Sequence, residues 1–311
     1  MSTIESVLAE LEIERKKIVT RKLQGWGAII LGITLLLALF TINLQIMGLI
    51  IGAAGVIPGL IILNRINAGI DRYKYRFKQE VIGAVLNTFD YHLTLEPDQG
   101  ISESEFVSAQ LFTTTPDRYH TEDLVAGKAD KTSFYFAEVH AEYKTETQTK
   151  NGRQVHWHSI LKGIMFAADF NKNFNGLTIV RPKDFGSTLG AWFSKNIYSF
   201  GDNNIVELEN EDFNKNFVVY STDQIEARYI LTPAMMDRII DLNERSAYCI
   251  SLSFIDSFLY IAFPLDNNYF EPPVFSSLLK PDLLDNDKSV LTFMCDIIRE
   301  LDLNTRIWTK K

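Results

Sequence analysis

The sequence predicts an α+β protein in which an N-terminal two-helix transmembrane hairpin with a helical stalk precedes a cytoplasmic antiparallel-sheet domain with packed helices. Residues 26–64 contain no charged side chain. Helical apolar stripes flank that stretch, and the rest of the chain shows short, aromatic-rich runs of alternating polarity. The expected boundaries are 1–25 for an N-terminal cytoplasmic helix, 26–64 for the hairpin, 65–95 for the stalk helix and 96–311 for the α+β domain.

Charge divides the chain in the same way. Residues 1–80 carry ten Lys and Arg against six Asp and Glu, whereas the remainder carries 21 against 33. A basic end beside an apolar stretch suits lipid headgroups. An acidic body argues against nucleic acid, since phosphate neutralisation needs clustered cations. The predicted partner is therefore a lipid bilayer and no nucleic acid.

The apolar stretch is too long for one membrane crossing. A single helix over 26–64 would extend about 57 Å, whereas the hydrocarbon core is about 30 Å thick. The chain is therefore expected to fold back near the polar interruption Thr41–Gln45. A cleaved signal peptide would have a shorter apolar core nearer the start, and a re-entrant loop is the other alternative.

Basic residues on both sides orient this hairpin. Five Lys or Arg residues precede it between positions 15 and 22, five follow it between 65 and 78, and the turn has none. The positive-inside bias predicts a multi-pass protein of the inner (cytoplasmic) membrane with both termini in the cytoplasm.

Four glycines on one face of the second helix predict close helix packing. They are Gly48, Gly52, Gly55 and Gly59. Their groove can receive the first helix, which offers Ala28 and Gly32, or a second copy of the chain, which would make a homo-oligomer.

Amphipathic segments flank the hairpin at Ile4–Ile18 and Ile66–Phe89. Pairing them would bury both apolar stripes in an antiparallel stalk. In the alternative arrangement, the N-terminal helix lies on the membrane surface with its basic residues at the headgroups.

A β-hairpin is the clearest element of the sheet domain. Thr132–Thr147 and Val155–Phe170 are rich in aromatic and β-branched residues, and Asn151-Gly152 between them suits a type I′ turn. That turn sets a register in which the facing pairs are Tyr143–Ile160, Val139–Ile164 and Ala137–Phe166.

Shorter elements complete the domain. The expected strands are Leu177–Arg181, Asn204–Leu208 and Phe217–Tyr220, with a second hairpin of Tyr248–Phe254 and Phe258–Phe263. The expected helices begin at Ser102 and Asp223, cover Ala234–Glu244 and close the chain from about Asp287 to Leu301. Antiparallel pairs followed by helices indicate an α+β domain.

Motifs for enzymatic chemistry are missing. No phosphate-cradling glycine loop and no nucleophile elbow is present, so no cofactor and no catalytic residue is predicted. The two cysteines, Cys249 and Cys295, fit no metal spacing and are expected to be buried free thiols.

Polar residues crowd ahead of Gly127, and they are Asp117, Arg118, Tyr119, Glu122 and Asp123. Their carboxylates could pair for acid–base work or could be loop residues and helix caps. Arg228 could grip a ligand or form an internal ion pair. The candidate ligand-binding residues are Asp117, Arg118, Tyr119, Asp123 and Arg228.

His156 and His158 are weak candidates for a metal site. Alternation along a strand puts both imidazoles on one face, about 7 Å apart. His140 has the opposite parity and no carboxylate adjoins the pair in sequence, so a solvated strand face is favoured over a metal site.

Several motifs carry a family resemblance: Asp117-Arg118-Tyr119 with Glu122-Asp123, Phe136–Val139, Lys162–Phe166, Phe170–Lys172 and, most distinctive, Phe217–Pro233. On these motifs the chain resembles, over nearly its whole length, a bacterial membrane-protein family catalogued as domain of unknown function 3137. The resemblance implies the same architecture and no assigned activity. Because members are often encoded near LemA-like membrane proteins, it also suggests a LemA-like partner.

Two functions remain open. The first is a membrane-anchored cytoplasmic domain that binds a protein or lipid partner. The second is a membrane-tethered enzyme, in one form metal-dependent, with a site near Asp117, Glu122, Asp123 and the histidine pair. The missing catalytic constellation favours the first.

Overall fold

The computed structural model of the chain describes residues 2–129, 132–149, 152–170, 173–183, 204–245, 250–265 and 268–301. It confirms the predicted fold class, because two long apolar helices are followed by an eight-stranded antiparallel sheet with helices. The chain forms two compact units. The helical unit comprises Met1–Val85 and Phe270–Asp285, and the sheet unit comprises Leu86–Tyr269 and Asn286–Lys311.

Two long helices make up most of the helical unit. Helix α1 spans Ser2–Thr41. Helix α2 spans Gln45–Arg76 and continues through a π-helical turn, Phe77–Ile82, into a last helical turn, Gly83–Leu86. Both helices are long and apolar enough to cross a membrane, judged by length and composition.

Glycines let α1 and α2 approach each other at backbone distance. A Cβ added to Gly55 would lie 2.8 Å from the Cα of Gly32, so an alanine there would force the helices apart. The other three glycines of the predicted groove would also bring a Cβ within 3.2 Å of α1, and they are Gly48, Gly52 and Gly59. In this chain, α1 therefore fills the groove.

The two helices stay paired beyond the apolar stretch, as expected for a stalk. Leu11 of α1 is buried, as are Tyr73 of α2 and Phe77 of the π-helical turn. Nη1 of Arg76 lies 2.5 Å from Oε1 of Glu14. Helix α1 is continuous through Thr41, so its N-terminal half continues along the same axis as its apolar half. An N-terminal helix lying on the membrane surface would require a bend between the two halves, and α1 has none.

A segment from late in the sequence, Phe270–Asp285, packs on the stalk and is called the strap. Arg15 donates to both carboxylate oxygens of Glu12, at 2.8 and 2.7 Å, and through Nη1 to the Val274 carbonyl at 2.9 Å. Glu12 in turn accepts from the Leu278 backbone N–H at 3.0 Å. This buried ion pair therefore holds the strap backbone at two points.

A second set of contacts holds the start of the strap. Glu271 lies 2.8 Å from the ammonium groups of both Lys74 and Lys78. The Tyr73 hydroxyl donates to the Pro273 carbonyl at 3.0 Å. Lys78 is 4% exposed, and burying its charge demands such a partner.

The frame of the sheet unit is one antiparallel sheet. Its strands are β1 Thr94–Glu96, β2 Arg118–Ala129, β3 Thr132–Thr149, β4 Gly152–Asp169, β5 Thr178–Pro182, β6 Phe217–Ser221, β7 Ser251–Ile255 and β8 Phe258–Pro264. Their order across the sheet is β1-β2-β3-β4-β8-β7-β5-β6, and every neighbouring pair is antiparallel.

The predicted β3–β4 hairpin is present, but its predicted register is wrong. Pairing begins at Thr149–Gly152 and shifts once between Ala141 and Glu142, so the facing pairs are Tyr143–His158, Val139–Gly163 and Ala137–Met165. The turn residues Lys150 and Asn151 lie outside the described residues.

Two other segments differ from the sequence-based expectation, and a third begins outside the described residues. The segment Asn204–Leu208 is not a strand and makes a single bridge, from Ile205 to Tyr220. Residues 118–129 form strand β2 where a polar loop with caps was one expectation. Tyr248, the predicted start of the second hairpin, lies outside the described residues.

Among the described residues, five helices accompany the sheet: α3 Glu103–Ser108, α4 Glu211–Asn216, α5 Gln224–Ile230, α6 Pro233–Arg245 and α7 Asp285–Glu300. Two predicted caps are present. Ser102 Oγ accepts from the Glu105 backbone N–H at 3.2 Å, and Asp223 Oδ1 accepts from the Ile225 and Glu226 N–H groups. Such caps satisfy backbone donors that the helix itself leaves open.

Apolar residues cover both faces of the sheet. On one face, Phe106 of α3 belongs to a buried cluster that includes Ala137 and Met165. On the other face, Phe136 stacks on Phe166, and Phe263 meets Phe293 of α7 edge to face.

Cys295 of α7 is a buried free thiol, as predicted. Burial raises its pKa to about 12, which makes it a poor nucleophile. Cys249 lies outside the described residues.

Replacing Glu12 by Gln should destabilise the folded chain by about 3 kcal/mol, because it leaves the buried Arg15 charge without its counter-ion. Hydrogen bonds from Arg15 lower the pKa of Glu12 from its ordinary 4.5 to about 2, against the opposing effect of burial. The ionised carboxylate therefore stabilises fully above pH 4.5 and loses that contribution as the pH falls towards 2.

The measurement is the thermal unfolding midpoint of the detergent-solubilised chain across this pH range. The gap between wild type and E12Q should be widest above pH 5 and narrow below 4.5. Glu5→Gln, on the same helix, is the control and should change little. A gap that does not depend on pH would contradict the role given to the ionised carboxylate.

Candidate functional site

Four ionisable side chains share one face of β2 and β3, and this set, the polar cluster, consists of His120, Glu122, Glu138 and His140. In the antiparallel register His120 faces His140, and Glu122 faces Glu138. Residues two apart on a strand point the same way, so the four side chains form a compact square. The Nε2 atom of His120 lies 3.7 Å from Oε1 of Glu122.

A β-bulge adds a third carboxylate. Strand β2 carries an extra residue between Glu122 and Val125, and Asp123 there has a positive φ of 60°. The Asp123 N–H does not bond to the neighbouring strand β3 and donates instead to the Pro97 carbonyl at 3.0 Å. A bulge of this kind re-aims a side chain, and Asp123 becomes almost wholly buried, at 1% exposed.

The three carboxylates converge. Oxygens of Glu122, Asp123 and Glu138 all lie within 4.8 Å of one another. Glu138 is held in place by the Tyr269 backbone N–H, which donates to its Oε1 at 2.6 Å. The polar cluster lines a cavity of about 70 Å³ together with Lys162 and Asn268.

This arrangement suits a hard divalent cation. Oxygen ligands sit about 2.4 Å from Ca²⁺, so oxygens that share one ion lie no more than about 4.8 Å apart. Carboxylates also suit Mg²⁺ and Mn²⁺, and imidazoles at the rim would add nitrogen donors. Without a bound cation, the mutual repulsion of three neighbouring carboxylates costs electrostatic free energy.

Arg118, a predicted ligand-binding residue, lies at the edge of this face. Its guanidinium carbon is 3.5 Å from the centroid of the Trp157 ring, a cation–π contact. Its Nη1 lies 3.8 Å from Glu142. The Arg118 side chain is 59% exposed and therefore accessible to a partner.

Asp117 and Tyr119 have structural contacts. Asp117 exchanges two bonds with β3: its N–H donates to the Glu142 carbonyl, and its Oδ2 accepts from the Lys144 N–H, both at 2.8 Å. Tyr119 points to the opposite face, where its hydroxyl donates to the Ile101 carbonyl at 2.8 Å. Burial raises the pKa of Tyr119.

His156 and His158 do not meet the acidic residues. They alternate with Trp157, so they lie on the face of the sheet opposite to Arg118 and the polar cluster. The His158 ring stacks on Tyr143 with centroids 5.0 Å apart, and its Nε2 is 2.8 Å from Thr145 Oγ1. The two halves of the predicted enzyme site are thus on opposite faces.

Arg228 is also apart from the polar cluster. It lies on α5 and donates to the carbonyls of Gln224 and Glu207, at 3.1 and 3.2 Å. These bonds tie α5 to the segment before α4. The described contacts of Arg228 are therefore internal.

Sequence reasoning missed His120, Glu138 and Lys162 as site residues. The signal was present, because Arg118-x-His120-x-Glu122 and Glu138-x-His140-x-Glu142 both alternate with period two. Reading the first of these as a strand would have placed the two runs side by side.

The comparisons with known proteins are consistent with the predicted resemblance. The family model described as "Protein of unknown function (DUF3137)" matches residues 159–303, from β4 to the end of α7, and confirms the resemblance over that stretch. A search of curated proteins found no match.

One solved structure is similar to this chain: the crystal structure of the mycobacterial trehalose monomycolate transport factor A, TtfA. The identity is 13%, the alignment covers 74% of this chain and 94% of that one, and the TM-score is 0.34. A likeness this low carries no inference about function.

Glu138→Gln should weaken the binding of Mn²⁺ to the purified chain by about tenfold or more, because it removes one of three converging carboxylates. Calorimetric titration of the full chain in detergent measures the dissociation constant. Glu146→Gln is the matched control, since it lies on the same strand and face but pairs with Lys144. Equal affinities for wild type and E138Q, or no binding by either, would exclude a site here.

Proposed function

We propose that this chain is a membrane-anchored interaction protein. In this proposal the α1–α2 hairpin crosses the cytoplasmic membrane twice, and the sheet unit binds a partner on the cytoplasmic side. The observation that carries it is the apolar outer surface of the hairpin.

Large apolar side chains point outwards along both helices. Ile46 and Ile50 of α2 are 77% and 64% exposed, and Ile30 and Leu31 of α1 are 58% and 60% exposed. Soluble monomers rarely expose apolar patches of more than a few hundred Å². Because glycine contacts close the inner side of the hairpin, the outer side is left for lipid tails.

The flanking charges support the orientation. Basic residues cluster where α1 enters the apolar stretch and where α2 leaves it, and the turn at Ile42–Leu44 has none. A hairpin with this distribution keeps its charged ends in the cytoplasm. The α+β domain, which we place at 96–311, would then be cytoplasmic.

The β3–β4 hairpin offers the surface that we assign to the partner. β2 pairs with β3 no further than Glu142, and β8 pairs with β4 no further than Gly163. Beyond these points, Tyr143–Thr149 and Gly152–His158 pair only with each other among the described strands. This two-stranded segment is called the arm.

The arm presents an exposed tryptophan beside an arginine of β2. Val155 and Trp157 are 47% and 36% exposed and lie two apart on one face, where Arg118 stacks on Trp157. Tryptophan and arginine are the commonest residues in binding hot spots. These features favour a protein partner, and the family resemblance makes a LemA-like membrane protein one candidate.

A membrane-tethered, metal-dependent enzyme is the second candidate. The convergence of Glu122, Asp123 and Glu138 within 4.8 Å favours it. The position of His156 and His158 on the opposite face counts against the site first predicted. The manganese titration of E138Q decides whether this candidate has a metal.

Cysteine labelling in intact cells tests the anchor. A cysteine at Asn43, in the turn, should react with a membrane-impermeant maleimide in intact cells. A cysteine at Val107, exposed on α3, should react only after lysis. Labelling of Val107→Cys from outside would overturn the orientation, and release of the chain by alkaline carbonate would overturn the anchor itself.

Site-specific photo-crosslinking tests the arm. A photoreactive amino acid at Val155 should capture a protein partner in cells, whereas one at the exposed residue Ile225 should not. Arg118→Ala should lower the yield at Val155 by about tenfold, because it removes a hot-spot side chain. Capture of lipid alone, or equal capture at both positions, would count against an interaction arm.

A further inference from the structure

We propose that the open edge of β4 in the arm pairs antiparallel with the same strand of a second copy of this chain, with Val155 at the centre of the pairing. This proposal rests on the proposed function, because it takes the arm as the interaction surface and names the partner. Anchoring in one bilayer confines both copies to the same surface, which raises their effective concentration. All residues of the arm belong to the sheet unit, so the geometry is internal to one compact body.

The edge of β4 that faces away from β3 is open along the arm. β8 pairs with β4 only between Gly163 and Asp169, and no other described strand lies beside Gly152–His158 on that side. All six residues from Gly152 to Trp157 are exposed. An open strand edge presents a row of backbone donors and acceptors, which makes it a template for pairing with another chain.

The opposite edge of the arm is obstructed where β2 ends. Asp117 Oδ2 accepts from the Lys144 N–H at 2.8 Å, so a side chain occupies the first donor that an added strand would use. Charged side chains placed on a strand edge are a common means of preventing edge-to-edge pairing. β4 is therefore the edge of the arm that remains for a partner.

The hairpin turn determines which backbone groups point to this open edge. Gly152 pairs with Thr149, and the ends of a four-residue turn bond to each other across it. Successive residues direct their N–H and C=O groups to alternate sides of a strand, and no register shift interrupts the pairing between Gly152 and His158. The groups of Arg153, Val155 and Trp157 therefore point to the open edge.

The sequence of this strand is complementary to itself in the register centred on Val155. In that register the two copies of Val155 face each other, and Arg153 of each copy faces Trp157 of the other. The outward backbone groups of all three residues then join the ladder. Their side chains lie on one face of the strand, and directly opposite pairs on one face are what stabilise a sheet.

A contact within the chain shows that the Trp157 ring accepts a guanidinium. The guanidinium carbon of Arg118 is 3.5 Å from the ring centroid and comes from β2, whereas Arg153 of a second copy would come from the open edge. Arg153 is 64% exposed and pairs with Glu146 of its own chain. A planar guanidinium can keep such an ion pair while it stacks on a ring.

This electrostatic complementarity favours a second copy as the occupant. A strand that fills the edge must present a cation opposite Trp157 and an aromatic ring opposite Arg153, and β4 itself presents both. A register displaced so that His156 lies at the centre would place Arg153 opposite Ser159 and would lose both cation–π pairs. The register centred on Val155 is therefore the one to test.

Disulfide trapping tests the register in isolated membranes that carry the full chain with Cys249→Ser and Cys295→Ala. Under mild oxidation Val155→Cys should give a disulfide-linked dimer, because opposite residues of an antiparallel pair have Cα atoms about 4.5–5.5 Å apart, which a disulfide can span. The matched control is His156→Cys, the exposed next residue. Its two copies would be offset by two residues and lie beyond the limit of about 7 Å, so its yield should be about fivefold lower or less.

Ile225→Cys, which is 73% exposed on α5, measures the yield from random collision. A yield at Val155 no higher than at Ile225 would overturn the proposal. A higher yield at His156 than at Val155 would overturn the pairing centred on Val155.

A charge exchange provides a second test that does not depend on oxidation. Two differently tagged copies of the full chain are co-expressed, and the amount of one that co-purifies with the other is measured. Val155→Lys in both copies should lower that amount about fivefold, because like charges directly opposite each other destabilise a strand pair. Val155→Lys in one copy with Val155→Glu in the other should restore it, which would also show that both variants fold. Co-purification that Val155→Lys leaves unchanged, or that the mixed pair fails to restore, would overturn the proposal.

The photo-crosslink at Val155 separates this proposal from the proposed function. The expected adduct has twice the mass of the chain. An adduct with a different protein, including a LemA-like one, would overturn pairing with a second copy and would leave the arm as an interaction surface. Capture of lipid alone would overturn both.

Discussion

The close approach of α1 and α2 at Gly32 and Gly55 is the contact on which the helical unit depends. Helices in lipid gain no hydrophobic free energy from pairing, so small residues and dispersion contacts must hold them together. The same pairing continues into the stalk, where it brings Glu14 to Arg76 and places Glu12 and Arg15 under the strap. Anchor, stalk and strap are consequences of one backbone contact.

In the sheet unit, by contrast, the face that carries the polar cluster contains features that lower the stability of the fold. Asp123 combines near-complete burial with a positive φ, and both features cost folding free energy. Its carboxylate also sits near those of Glu122 and Glu138. His158, on the other face, stacks on an aromatic ring and stabilises the arm. Strain and crowded carboxylates are concentrated on the first face, which makes that face the candidate site for a ligand or metal.

Features that depend on residues close together in the sequence could be predicted, and features that depend on distant residues could not. The hairpin and the Asp223 cap could be predicted because length, charge and capping act within a few residues. β2 was missed because its exposed face alternates charged residues and so resembled a loop. The predicted register of β3 with β4 is wrong from the turn onwards, since pairing begins at Thr149–Gly152 and an Asn151-Gly152 turn would pair Lys150 with Arg153. An extra residue in β4 then shifts the pairing again between Ala141 and Glu142, and no local pattern marks where such a shift occurs.

The strap could not be predicted at all, since its partners Glu12 and Arg15 lie more than 250 residues earlier in the chain. This separation has a practical consequence. A fragment that begins after the stalk would lose those partners and would expose Leu278, which is fully buried in the whole chain. An apolar, partnerless segment is an aggregation hazard and a false binding surface. Partner capture and lipid binding should therefore be measured on the whole chain, in which Leu278 is buried and only the native surface is exposed.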